Sequence, residues 1–152
     1  MTRFELRTAI AASPQRVFDT ALQVETHTTG MATSGEQVIG DITSGQMALG
    51  DTVTWQARHL GLRWRMTARI SACVPPNYFV DEQVTGPFKH WRHDHRFEPD
   101  GNGGTVMLDI VDFTAPFRPL GTVAELTVLN WYMPRLIRVR NDHLKTVAET
   151  AR

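Results

Sequence analysis

His93 and His95 stand two residues apart in a stretch of alternating polarity, so on a strand both imidazoles face one side. His59, Asp81 and Asp109 lie in other stretches that read as strands and could meet them in one polar cluster. Such a cluster suits three kinds of chemistry. A few polar groups in an apolar cavity orient one end of a ligand. An imidazole tuned by a carboxylate works as acid or base on an enolisable ketone, as cyclases and dehydratases require. A His-x-His pair with a carboxylate holds a metal. A plainer arrangement competes with all three: the histidines pair with Asp81 and Asp109 and satisfy one another inside a core. The acid-base candidates are therefore His93, His95, Asp81 and Asp109. The His-x-His pair alone is common in strands, and nothing else in the chain asks for a metal or a cofactor.

The elements that must position these groups follow from periodicity. Phe4 to Ile10 alternates and predicts a strand. Ser13-Pro14 is a helix start, with Val17, Phe18, Ala21 and Leu22 as its apolar stripe. Residues 26–35, rich in Thr, Ser and Gly, predict a short irregular helix or loop. Residues 51–59 place Val53, Trp55, Ala57 and His59 on one face; residues 63–71 place Trp64, Met66, Ala68 and Ile70 on one face and three arginines on the other. Tyr78 to Val84 is a strand whose facing the pattern leaves open. In Phe88 to Phe97 one face carries Phe88, His90, Arg92, Asp94 and Arg96 and should look outward. Trp91, His93, His95 and Phe97 then look inward. Pro99 to Gly104 is a turn and not a phosphate cradle, since no helix start follows it. Thr105 to Phe113 is a further strand, and Val106, Leu108 and Ile110 are one candidate buried set. Facing outward, they would form an apolar stripe fit for a homodimer contact. From about Leu120 to Glu149 the chain reads as one long helix, with Leu126 and Met133 in its apolar stripe and Pro134 freeing the Asn130 carbonyl.

This order is α+β. A lone long helix buries its stripe only by lying across the sheet, and if the sheet curves a cavity remains between them. Trp55, Trp64, Trp91 and Trp131 with Phe79, Phe97 and Phe113 are mostly core. A few of them lining the cavity would suit a flat aromatic ligand, and Met66, Met107 and Met133 would make the walls adaptable.

The chain has 152 residues, which fits one domain over 1–152. Sixteen basic and 16 acidic residues cancel, which argues against a nucleic-acid partner or a polybasic membrane-surface module. The arginines Arg58, Arg63, Arg65, Arg69, Arg92 and Arg96 are better read as pairing with Glu82, Asp94 and Asp112 across strands. Cys73 is the single cysteine, so no internal disulfide or thiolate zinc site exists. No leader peptide or spanning segment is evident, which predicts a cytoplasmic protein without integral membrane association.

Three runs, Gly50 to His59, Phe79-Val80-Asp81-Glu82-Gln83 and Gly86 to Glu98, resemble the SRPBCC superfamily, which includes START-type lipid carriers, the birch-pollen-allergen fold and aromatic polyketide cyclases. The segment Gly-Pro-Phe-x-x-Trp-x-His-x-His-x-Phe is its most specific part, and the likeness to small bacterial cyclase/dehydrase-like or ligand-binding members spans essentially the whole chain. The resemblance implies a helix-grip fold: a curved seven-stranded antiparallel sheet around the C-terminal helix, with a deep apolar cavity. It implies inward Asp81, Gln83, Met107 and Asp109. The candidate ligand-lining set is then Trp55, His59, Trp64, Met66, Gln83, Trp91, His93, His95, Met107, Leu126, Asn130 and Met133. The expected function is binding or carriage of a small hydrophobic, aromatic or polyketide-like molecule. The alternative is a cyclase or dehydratase with His93 or His95 as base, oriented by Asp81 or Asp109.

Overall fold

The alternating start folds as strand β1 (Thr2–Ile10). Ser13 caps helix α1 (Pro14–Leu22): its Oγ accepts from the Arg16 N–H at 3.4 Å, and Pro14 sits in the first turn, where no N–H is needed. Helix α2 (Val24–Gly30) and a single 3₁₀ turn (Ala32–Ser34) lead into β2 (Gln37–Ile39). Five longer strands follow: β3 (Thr52–His59), β4 (Leu62–Val74), β5 (Tyr78–Thr85), β6 (His90–Pro99) and β7 (Thr105–Thr114). The structure is a computed structural model that describes residues 1–116, 123, 127 and 129–150, and its last element is helix α3 (Asn130–Thr150). The first part of the expected long helix, with Leu126, lies almost wholly outside the described residues.

The seven strands form one curved antiparallel sheet in the order β1-β7-β6-β5-β4-β3-β2, so α1 and α2 carry the chain from one edge to the other. This is the α+β helix-grip architecture. α3 lies on the concave side and turns Met133, Ile137, Arg140, Asn141, Leu144 and Ala148 inward. Two apolar clusters fill that side. The first centres on Phe18, whose ring meets Phe79 and Phe97 edge-on at 5.8 and 5.5 Å and shares its cluster with Leu22, Met107 and Leu144. The second gathers Phe88, Trp91, Val111, Phe113, Leu129 and Met133.

Strand facing follows the alternation closely. Val53, Trp55 and Ala57 are buried on β3, and Ala68 and Ile70 on β4. On β5, whose pattern is ambiguous, Phe79 enters the first cluster while Asp81 and Gln83 bond to inward groups. A β-bulge after Ile70 resets the register between β4 and β5.

Phe88 requires a correction. The alternation of Phe88 to Phe97 puts it on the outer face, but β6 begins only at His90 and Phe88 is buried. The Gln83 side chain brackets it, with Nε2 donating to the Phe88 carbonyl at 2.7 Å and Oε1 accepting from its N–H at 3.2 Å. Phe88 thereby folds inward, and Lys89, which falls on the inward side of the pattern, is exposed.

Val106, Leu108 and Ile110 do face outward, opposite the inward Met107 and Asp109. Leu108 and Ile110 nonetheless keep only 8% and 6% of their surface, because long charged side chains on β1 and β6 flank them. Val106, at the end of the stripe, stays partly exposed. Arg92 bridges Asp94 at 2.8 Å and Glu82 at 3.5 Å on this face, and Arg3 reaches Asp112 at 3.6 Å. No helix among the described residues is long and apolar enough to cross a membrane.

Candidate functional site

Between the sheet and α3 lies a cavity of about 130 Å³, of the order that holds a small ring compound. Trp55, His59, Trp64, Met66, Trp91, His93, His95 and Met133 line it, as does Asp81. The other expected residues fall elsewhere. Gln83 spends its amide on the Phe88 bracket. Met107 is packed in the core with Leu144 and Ala148, one inward position too deep. Asn130 opens α3 with an exposed side chain. Leu126 lies outside the described residues. Asp109 stands behind the wall, fully buried.

The deep end of the cavity is a polar belt built on register. Asp81 lies opposite His93, and His95 lies opposite Asp109. The hydrogen bonds cross diagonally between these pairs. His95 Nε2 meets Asp81 Oδ2 at 2.7 Å, and His93 Nε2 meets Asp109 Oδ1 at 2.8 Å. An ionised carboxylate only accepts, so each ring donates from Nε2, and His95 Nδ1 also faces Asp109 Oδ1 at 3.3 Å. The imidazoles stack at 3.7 Å between centroids, and Phe79 stacks on the far side of His95 at 4.1 Å. From α3, Arg140 Nη2 donates to Asp109 at 3.1 Å and Asn141 Nδ2 donates to it at 2.6 Å. Arg140 also donates to the Asn141 side-chain oxygen Oδ1 at 3.0 Å and reaches His95 Nδ1 at 3.5 Å.

These contacts set the charges. Burial alone would raise Asp81, but the bond from His95 and its electrostatic coupling to His95, His93 and Arg140 outweigh it and hold it at about 2. Asp109 is likewise held well below the carboxylate range, against burial, by Arg140 and by the bonds from His93 and His95. Burial, reinforced by neighbouring His95, pushes His93 down to about 4 despite its bond to Asp109. Two buried carboxylates thus share Arg140 and the paired imidazoles as partners.

The mouth is built more lightly. His59 Nδ1 and Tyr132 Oη share a hydrogen bond of 2.9 Å between β3 and α3. Partial burial lowers His59 and raises Tyr132 from their ordinary values, with Glu36 opposing the first shift. His27 pairs with Glu36 and stacks on Trp55 at 4.0 Å between centroids. Between the two ends the wall is aromatic: Trp64, Phe88 and Trp91 follow one another at 5.8 and 5.1 Å. The Trp91 Nε1–H is buried and has no hydrogen-bond partner among the described residues.

Asp81, His93 and His95 each offer a ligand atom within 4.8 Å of the others, the one such grouping among the described residues. Their bonding Nε2 atoms are already turned to carboxylates, and Arg140 beside them opposes a cation. The group fits a satisfied polar belt better than a metal centre.

Arg140, Asn141 and Tyr132 escaped the sequence reading. The first two carried a signal: at helical spacing they fall between Ile137 and Leu144 on the apolar stripe, where a polar residue needs a buried partner.

A model of the family described as polyketide cyclase / dehydrase and lipid transport matches residues 1–149. Among solved structures, TTHA0849 from Thermus thermophilus is similar at 15% identity and a TM-score of 0.79, covering 97% of both chains. The Zhui aromatase/cyclase from Streptomyces sp. R1128 is similar at 15% identity and a TM-score of 0.79, covering 97% of this chain and 93% of its own. Ginseng major latex-like protein 151 from Panax ginseng is similar at 12% identity and a TM-score of 0.64, covering 99% of this chain and 98% of its own. At such identities the likeness shows the fold. No curated protein matches the sequence.

Proposed function

From the premise that this chain belongs to the polyketide cyclase / dehydrase and lipid transport family, we propose that it binds a small, largely apolar ring compound in its internal cavity, as a carrier or binding protein. The observation that carries this reading is the cavity itself. Aromatic and methionine walls run between a closed polar belt and a polar mouth, the build of a site that takes an apolar body and orients its ends. We place its work in the cytoplasm, with no cofactor.

Titration with N-phenyl-1-naphthylamine, a neutral aromatic dye, tests it. Three tryptophans line the cavity, so binding should quench their emission in a saturable manner. Ala57→Phe, which fills the wall of β3, should weaken that binding at least tenfold. A dye that does not bind, or that binds both proteins alike, overturns the reading.

The second reading is a cyclase or dehydratase, favoured by the His95–Asp81 contact on the cavity wall. A general base works best when its pKa lies near the working pH. His93, held at about 4, lies far below neutrality, which argues against it as that base.

A further inference from the structure

The deep belt presents a carboxylate to the cavity, and that carboxylate selects the ligand. Asp109 and Arg140 form one buried pair, closed by Asn141. Asp81 is the second anion. It retains 19% of its side-chain surface while lining the cavity, so it is the carboxylate that an occupant meets. Two carboxylates, Asp81 and Asp109, thus stand in the belt against the single guanidinium of Arg140. Arg140 also lines the cavity, but its Nε and Nη2 are bonded to Asn141 and Asp109 behind the wall. The remaining charged group of the lining, Glu36, is acidic too and is paired with His27. One neutral donor without a partner among the described residues, Trp91 Nε1–H, stands one inward position from His93 along β6, with 6.2 Å between the rings.

We infer that the group entering the deep end is an uncharged hydrogen-bond donor, such as a hydroxyl or an amide, and that ligands ending in a carboxylate are rejected there. A hydroxyl donates to Asp81 and can accept from a donor such as Trp91. A carboxylate only accepts, so it would answer Trp91 yet meet Asp81 with like charge in a dry site, where such repulsion is least screened. This selection would exclude free fatty acids and aromatic acids from a cavity whose walls suit both. It rests on the binding reading above.

Three probes on one ring system separate shape from charge: 2-naphthol, 2-naphthamide and 2-naphthoate, titrated by calorimetry at pH 7, where only the last is ionised. Wild-type protein should bind the naphthol and the amide at least tenfold more tightly than the carboxylate. Any apolar cavity disfavours an ion to some degree, so the decisive comparison is Asp81→Asn. That variant should narrow the preference at least fivefold, through tighter naphthoate and weaker naphthol binding. If Asp81→Asn does not fold, the paired change Asp81→Asn with His95→Gln, which leaves no unpaired charge, should narrow it likewise. Amide and carboxylate binding wild-type protein alike would overturn the inference and leave the binding reading standing. So would a preference that survives the loss of Asp81. Binding of none of the three probes would overturn both.

Discussion

At the deep end of the cavity Asp109 meets His93 and His95 from β6 and Arg140 and Asn141 from α3, and has no exposed surface. At the mouth His59 meets a single partner, Tyr132, and both rings stay half-open. Both ends are polar, and both join the sheet to α3, yet their energetics differ. A buried charge network is costly to leave half-made, because each missing partner strands an ion in a low-dielectric site. A half-exposed neutral bond exchanges with water at little loss. The belt therefore holds the sheet and helix in one geometry, while the mouth can open without disturbing the fold.

Arg140→Met should break the belt and produce the largest effect. It removes the cation that faces Asp109 and Asp81 and leaves both anions buried. A loss of about 3–5 kcal/mol in urea unfolding is expected. A loss below about 1 kcal/mol would mean that the belt is not electrostatically coupled and that the two ends are alike.

Acid should strike the same region next. The unfolded chain takes up a proton on His93 near pH 6.5, and the folded chain only near 4. The unfolded state thus binds more protons between these values, and stability falls as the pH drops through that window, by roughly 3 kcal/mol. Asp81 adds a further loss below about pH 4, since its folded pKa of about 2 lies under the unfolded value of 3.8. His93→Gln should keep a donor to Asp109 and flatten the upper part of the curve. Urea midpoints measured from pH 7 to 4 would show it, and an unflattened slope would assign the loss to another group.

The contrast also governs what could be read from the sequence. The belt's imidazoles were legible because alternation is local: Trp91, His93, His95 and Phe97 share a face whatever else the chain does. Their diagonal carboxylates depend on register between strands, which β5 and β7 do not encode in their own patterns, and the inward facing of Asp81 and Asp109 came from a family resemblance. Arg140 and Asn141 were legible in principle, as polar residues within the helical stripe. Phe88 was not, because its inward turn depends on one side chain, Gln83, bonding back to it across Gly86-Pro87. Tyr132 was not, because a half-buried latch leaves no mark on hydrophobic periodicity.

That bracket lies between the two ends and offers an intermediate case. Gln83→Leu removes both bonds to the Phe88 backbone, leaving a buried N–H and carbonyl unpaired. A loss of about 2 kcal/mol in urea unfolding should follow, together with weaker dye binding as the Phe88 wall loosens. Gly86→Ala should act in the same direction, since an added Cβ would run into the Gln83 amide and Met66. Unchanged dye affinity in both variants would show that Phe88 takes no part in closing the cavity.

Tyr132→Phe should give the smallest change in stability and the clearest view of the mouth. Only the hydroxyl is lost, and the ring still packs edge-on against His59 at 5.8 Å between centroids. His59 is half-exposed and can turn its freed Nδ1 to water, so the loss of stability should stay under about 1 kcal/mol. The kinetics should change more. If the bond between β3 and α3 closes the cavity, removing it accelerates entry and exit together, and both rate constants for the dye rise severalfold in stopped flow while Kd barely moves. An Arg140 variant should show the reverse, with large unfolding effects and no selective gain in exchange rate. Should Tyr132→Phe leave both rate constants unchanged, the opening lies elsewhere, and the mouth is as much a part of the rigid frame as the belt.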